Sequence, residues 1–353
     1  MKQRPKQITN TNYNTRIYVA YYFTIGAILL ASMYPENRIW GINQWAYFPP
    51  VWKLLLISLG LLLPPLCSLL FVGKGKSLID RLSGYLERKY SYLKLSILLI
   101  TLLSASFYYL RAKTHFLGDG YMNLASLASA KPLIKSSGFG EVKAHIWLKS
   151  FLGGNDLATA LLSFQIISIL SGIILVMTVL FLGRKLFENR LDSFLFSLGV
   201  VSGGYMLLAF GYVEYYSLFV LSVTIYSLAG LLIINGKLNK WWAIPFFIPT
   251  VFFHILGITL LPSTLFLLLS GNKLDNFLQK VSKKTILILS AVGGIALLSV
   301  FTYFYLNSYR FRFAVVPILT DRFTVEGYTL FSPKHIVDFL NLLVLLIPAC
   351  WSF

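Results

Sequence analysis

The sequence predicts an all-α, polytopic membrane protein with about nine or ten transmembrane helices, each needing about 20 apolar residues to cross hydrocarbon. Three observations carry that expectation. The 353 residues are 57% apolar and only 12% charged, where a soluble domain carries about 25% charged residues. The apolar residues fall in long runs separated by short polar gaps. The net charge of +18 is spread over those gaps, as the positive-inside rule requires, and is not gathered into the basic patch that nucleic-acid binding needs. No nucleic-acid partner is expected.

Taken in chain order, residues 1–16 (MKQRPKQITNTNYNTR) are polar and basic, and a disordered tail is expected there. The apolar run that follows reaches about Met33 without a small-residue cleavage site, so it reads as a retained span and not a signal peptide. Further spans are expected near 51–72, 92–111, 157–182, 193–211, 215–234, 285–308 and 335–353, with the first at 17–33. Residues 17–91 then make two N-terminal spans and a cytoplasmic loop, and 92–353 the main transmembrane domain. Cys67 and Cys350 lie inside apolar runs and read as small core residues. The chain stops within an apolar run, at CWSF, so further spans or an outer domain are expected beyond it.

Segment 241–270 is long enough for one tilted helix or two short ones, and charge decides between them. With the N-terminus cytoplasmic, the loops 183–192 (Arg184, Lys185, Arg190) and 235–240 (Lys237, Lys240) fall inside. The loop 271–284, with Lys273, Lys280, Lys283 and Lys284, should fall inside too. Two consecutive inside loops require an even number of passes between them. Segment 241–270 is therefore expected to be a hairpin turning near His254 on the outer side, with Pro245, Pro249 and Pro262 permitting breaks.

The same assignment puts the histidines His115, His145, His254 and His335 on the outer side or at its edge, which suggests where chemistry takes place. The longest outer loop, 112–156, opens with Asp119 between Gly118 and Gly120 and holds two short amphipathic stretches, LASLASAKPL and VKAHIWLKSFL, expected to lie in the membrane interface. Asp119 reads as a general base or ligand anchor, or as a turn aspartate bonding its own backbone. Glu214, in GYVEYY, needs a partner or a water-filled cavity, or sits solvated in an aromatic belt. His254 reads as a substrate contact or as a hydrogen-bonded structural residue. The outer cations Arg111, Lys113, Lys131, Lys135, Lys143, Arg310, Arg312 and Lys334 are able to pair with a lipid phosphate, or are ordinary solvated charge. No P-loop, dinucleotide fingerprint, HExxH or GxSxG occurs, and the histidines lack zinc-ligand spacing. No cofactor is expected; a divalent metal is allowed but not required.

The order FLGDGYMNL, interfacial helices, GYVEYY and then H-x-x-G-x-x-x-L-P (His254, Gly257, Pro262) resembles the GT-C glycosyltransferases over roughly residues 92–350, closest to the bacterial protein-mannosyltransferase-like and aminoarabinose-transferase-like branches. The resemblance implies a GT-C-like fold in a bacterial inner membrane. It implies sugar transfer from a polyprenyl-phosphate carrier to a protein, lipid or glycan on the extracytoplasmic side. It makes Asp119 the catalytic base and the outer basic residues, Arg111, Lys113, Arg310 and Arg312 among them, the holders of the carrier phosphate; beside these, Glu214 is expected to be catalytic, and His254, His115, Tyr121 and Glu141 to contact substrate. Two features depart from the pattern. Glycines flank Asp119 where many relatives carry a second acid nearby, leaving Glu141 or Glu214 for that role, and two spans precede the one leading into the loop. The competing readings are a lipid-linked-sugar flippase or transporter without transferase chemistry, and a non-catalytic scaffold. Acids gathered at one edge favour a one-sided active site over the midplane charges and paired repeats of transporters.

Overall fold

The computed structural model describes residues 11–37, 39, 41–71, 76–114, 119–154, 156–269, 282–307 and 328–346. Among the described residues there are helices and turns and no strand. The α-helices, in order, are α1 (Thr11–Ser32), α2 (Pro50–Phe71), α3 (Lys76–Glu87), α4 (Lys89–Tyr109), α5 (Gly120–Ala128), α6 (Phe139–Leu152) and α7 (Leu157–Leu186). They continue with α8 (Arg190–Val201), α9 (Ser217–Ile234), α10 (Ala243–Phe253), α11 (Leu261–Leu269), α12 (Lys283–Asn307) and α13 (Pro333–Leu346). Three stretches are long and apolar enough to cross a membrane: Tyr90–Tyr109, Leu157–Leu186 and Ser217–Ile234. Shorter apolar stretches are Tyr21–Ser32, Pro50–Leu66, Ile255–Leu269 and Ala291–Asn307.

The chain forms two compact units, residues 1–77 with 279–353 and residues 78–278. In the first, Pro64 and Pro65 lie inside α2. Pro65 has no N–H, so the Leu61 carbonyl four residues back loses its helical donor. The Tyr22 hydroxyl on α1 donates to that carbonyl at 3.2 Å. Asn341 on α13 reaches the α1–α2 connection, its Oδ1 accepting from the Gly41 amide at 3.1 Å.

The second unit is built around α7. Phe107 of α4, Val176 and Val179 of α7, Met206, and Leu221 of α9 make its main core. The segment expected to span over 193–211 is interrupted: α8 stops at Val201, and Gly204–Ala209 is a 3-10 helix. The reason is the Ser202-Gly203-Gly204 break, after which Ser168 of α7 pins the segment. Its hydroxyl donates to the Leu208 carbonyl and accepts from the Gly211 amide.

Two other expectations change. α1 already begins at Thr11, inside the stretch expected to be disordered, because an apolar helix once nucleated extends cheaply through polar flanks; residues 1–10 lie outside the described residues. The stretch 73–91, expected to be a cytoplasmic loop, contains the helix α3. Part of the expected last span, 347–353, lies outside the described residues.

The reversal expected near His254 is present. α10 ends at His254, whose backbone is extended (φ −151°, ψ 136°), and a 3-10 helix, Ile255–Leu260, leads into α11. α11 folds back so that Leu267 packs with Ile233 of α9 and Ala243 of α10. Gly257 lets the two arms touch: a Cβ there would stand 2.3 Å from the Thr250 carbonyl carbon. Between the arms and α9, the Tyr226 hydroxyl meets Ser263 Oγ at 2.7 Å and Thr264 Oγ1 at 2.9 Å.

Candidate functional site

The site is assembled where the loop after α4, the start of α5 and the turn before α9 converge. Asp119 is the residue preceding α5, but its side chain makes no capping hydrogen bond to that helix. The carboxylate is half-exposed and turned to Lys135, whose Nζ lies 3.3 Å from Oδ2. Toward α5, then, Asp119 does not act as a capping residue. Lys135 also donates to Asn123 Oδ1 at 2.9 Å, and Asn123 Nδ2 donates to Glu214 Oε2 at 3.2 Å. The Asp119 backbone amide donates to the Glu214 carboxylate as well. Two acids from distant parts of the chain are thus linked through one lysine and one buried amide.

Burial, and next the charge of Asp119, push the Glu214 carboxyl above the ordinary carboxylate range, with Lys135 opposing. The hydroxyls of Tyr215 and Tyr216 are pushed up by burial and then by the Glu214 carboxylate. The Tyr216 ring packs on His254 at 5.1 Å, and Phe219 on the same imidazole at 5.2 Å. His254 Nδ1 accepts from the Leu256 amide at 3.2 Å, which puts the proton of the neutral ring on Nε2.

The turn holding Glu214 depends on Gly211. Its φ is +68°, and a Cβ there would stand 2.9 Å from the Arg111 Cβ. This close approach lets the Ala112 amide donate to the Phe210 carbonyl at 2.7 Å, while Gln165 of α7 donates to the Ala112 carbonyl at 2.8 Å. The exit of α4 and the entry to α9 are thereby tied together.

The other expected site residues separate into four groups. Glu141 is fully buried, with Oε1 accepting from the Leu218 amide at 2.9 Å and Oε2 from the Phe219 amide at 3.0 Å. Its carboxylate is engaged at the start of α9, and burial pushes it up to about 7 against those amide bonds. Arg111 folds back on Tyr108, donating to its carbonyl at 2.7 Å and stacking over its ring at 4.2 Å. The cation felt by Glu214 is Lys135. Lys113 and Tyr121 are exposed. His115, Arg310 and Arg312 lie outside the described residues.

Sequence reasoning passed over Asn123, which is almost fully buried. Its one sequence signal is position: it follows Asp119 by one helical turn. It also passed over α6. The stretch expected to be an amphipathic interfacial helix buries Glu141, His145 and Lys149 and exposes Phe139, Trp147 and Phe151. The signal was the four-residue spacing of the three ionisable groups, which places them on one helix face.

An apolar groove of about 310 Å³ runs between α9 and α10, lined by Leu218, Leu221, Ile225, Phe246 and Phe253 with Ser222 as its one hydroxyl. Leu218 and Phe253 place one end of it against the Tyr216–His254 contact. Among the described residues no three of His, Cys, Asp and Glu converge as metal ligands would. No family model, no curated protein and no solved structure matches this chain.

Proposed function

We propose that the chain is a membrane glycosyltransferase of the GT-C kind, moving a sugar from a polyprenyl-phosphate carrier to an acceptor on the extracytoplasmic side. The observation that carries this reading is the Asp119–Lys135–Asn123–Glu214 network: two carboxylates and a cation held together beside a helical bundle with candidate membrane spans. The order of the sequence motifs supports it, and the apolar groove ending near Tyr216 and His254 suits a hydrocarbon carrier.

In this reading the acceptor hydroxyl loses its proton to Asp119 as its oxygen forms a bond to the anomeric carbon. The bond from that carbon to the phosphate oxygen breaks, and the electron pair leaves with the carrier phosphate. Lys135 meets the charge developing there. Glu214 holds Asn123, and through it Lys135, in place. His254 presents Nε2–H to the sugar or the phosphate. One displacement inverts the anomeric centre.

The test is sugar transfer from a polyprenyl-phosphate-sugar donor in membranes bearing the protein. Asp119→Asn should lower kcat by about 100-fold or more. Lys135→Met should also lower it, and full turnover in Asp119→Asn would remove the base assignment. Carrier movement across the bilayer without product would instead identify a flippase.

A further inference from the structure

α6 carries Glu141, His145 and Lys149 one turn apart on its inward face, with 0%, 1% and 3% of their surfaces exposed. Each grips a different element. Glu141 accepts from the Leu218 and Phe219 amides, the unsatisfied donors at the start of α9. Lys149 Nζ donates to the Leu127 carbonyl at 2.8 Å and the Ser129 carbonyl at 3.3 Å, the unsatisfied acceptors at the end of α5. His145 Nδ1 lies 3.3 Å from Ser163 Oγ of α7, and that hydroxyl donates to the His145 carbonyl at 3.1 Å. A carboxylate thus meets the positive end of one helix dipole and an ammonium the negative end of another.

The two gripped helices are the ones that carry the candidate site. α5 follows Asp119 directly and contains Asn123; α9 begins three residues after Glu214. We propose that Glu141 and Lys149 are positioning residues, and that α6 is a clamp fixing the Asp119–Asn123 side of the site against Glu214 from behind. Neither side chain touches the network: Glu141 holds the start of α9, three residues after Glu214, and Lys149 holds the far end of α5, the short helix whose first turn carries Asp119 and Asn123. The inference rests on the Asp119–Glu214 pair being the working site, but its test needs no transferase activity. The arrangement also explains why α6 buries its ionisable face. Burying charged groups is costly unless each finds several partners, and here each finds helix-end groups that would otherwise be orphaned.

The experiment is carboxyl labelling of the purified full chain in lipid nanodiscs with dicyclohexylcarbodiimide, which reacts with protonated carboxyls in apolar surroundings. Peptide mass spectrometry follows Glu214 across a pH series. Glu141→Gln and Lys149→Met should each change the Glu214 labelling rate at least threefold at one pH, or move its midpoint by at least half a pH unit. Lys149→Arg, which keeps charge and donors, should return the wild-type profile, and Asp192→Asn on α8 should leave it unchanged. If Glu141→Gln and Lys149→Met melt earlier yet label Glu214 as the wild type does, the residues are only structural and the proposal falls. If Lys149→Met fails to accumulate, Lys149→Gln, which keeps a donor without charge, takes its place. If neither the Glu141 nor any uncharged Lys149 variant folds, the proposal is overturned in favour of a general stability role. Absence of sugar transfer with a shifted Glu214 profile would sink the transferase reading and leave the clamp standing.

Discussion

Asn123 and Glu214, 91 residues apart in sequence, meet side chain to side chain, Nδ2 donating to Oε2 at 3.2 Å. The contact gives a half-buried carboxylate in the turn before the candidate span Ser217–Ile234 the partner that its partial burial demands. It also leaves Asn123 Oδ1 for Lys135, so one buried amide relays between an acid and a cation.

Asn123→Leu should therefore do more than remove a contact. It removes the side-chain donor of Glu214 and leaves Lys135 with Asp119 alone as its side-chain acceptor, at a cost of about 1–3 kcal/mol. The melting midpoint in detergent should fall, and transfer activity should fall at least tenfold. Unchanged melting would show that Asn123 is not buried in the network.

Glu141 makes stability depend on pH in an unusual direction for a carboxyl. Its folded value, about 7, lies above the ordinary 4.5 because burial disfavours the charge. Its contribution is fully present below about pH 4.5 and is lost as pH rises through 7, a change of about 3 kcal/mol. Wild type should lose stability relative to Glu141→Gln between pH 5 and pH 8. Parallel melting curves for the two proteins over that range would refute this.

His145 should act in the opposite sense. Burial lowers its folded value to about 3, so the neutral ring's contribution holds above pH 6.5 and is lost as pH falls toward 3. His145→Phe keeps the ring in its packing against Phe164, 4.2 Å away, and cannot be charged. By pH 4.5 the wild type should have lost about 2–3 kcal/mol relative to it. Because the two titrations oppose, melting of each pair of proteins, not the wild-type curve alone, separates them.

Gly211→Ala should destabilise by about 1–2 kcal/mol from the positive φ alone. The crowding of Arg111 Cβ adds to this, since the new methyl would stand 2.9 Å away. The expected readout is a lower melting midpoint together with loss of amide-exchange protection at Ala112, whose amide bonds Phe210 across this approach.

Tyr22→Phe should cost about 1 kcal/mol, the usual value of one hydrogen bond. It removes the donor to the Leu61 carbonyl left open by Pro65. Replacing Pro65 by Ala in the same protein should cancel the loss, because α2 then supplies its own donor. Additive effects of the two substitutions in melting experiments would show that the hydroxyl serves another purpose.

Composition and apolar runs determined by themselves that this chain is helical with segments suited to a membrane. The lysines of 235–240 and 271–284 determined that 241–270 turns back near His254, since charge on both sides of an apolar segment counts its passes. Asp119 and Glu214 could be singled out because acids are scarce and expensive in such a chain. Tertiary structure alone decided which polar groups serve which end. Arg111 turned back on its own helix, Lys135 became the cation of the acid pair, and Glu141 was taken to the start of α9. α6 turned its charged face inward to meet the ends of α5 and α9, and Ser168 of α7 fixed the segment that follows the glycine break after α8. A helix's orientation and length are set by which neighbour's unpaired backbone groups and close-packed surfaces it must satisfy, and those neighbours lie tens of residues away in the sequence.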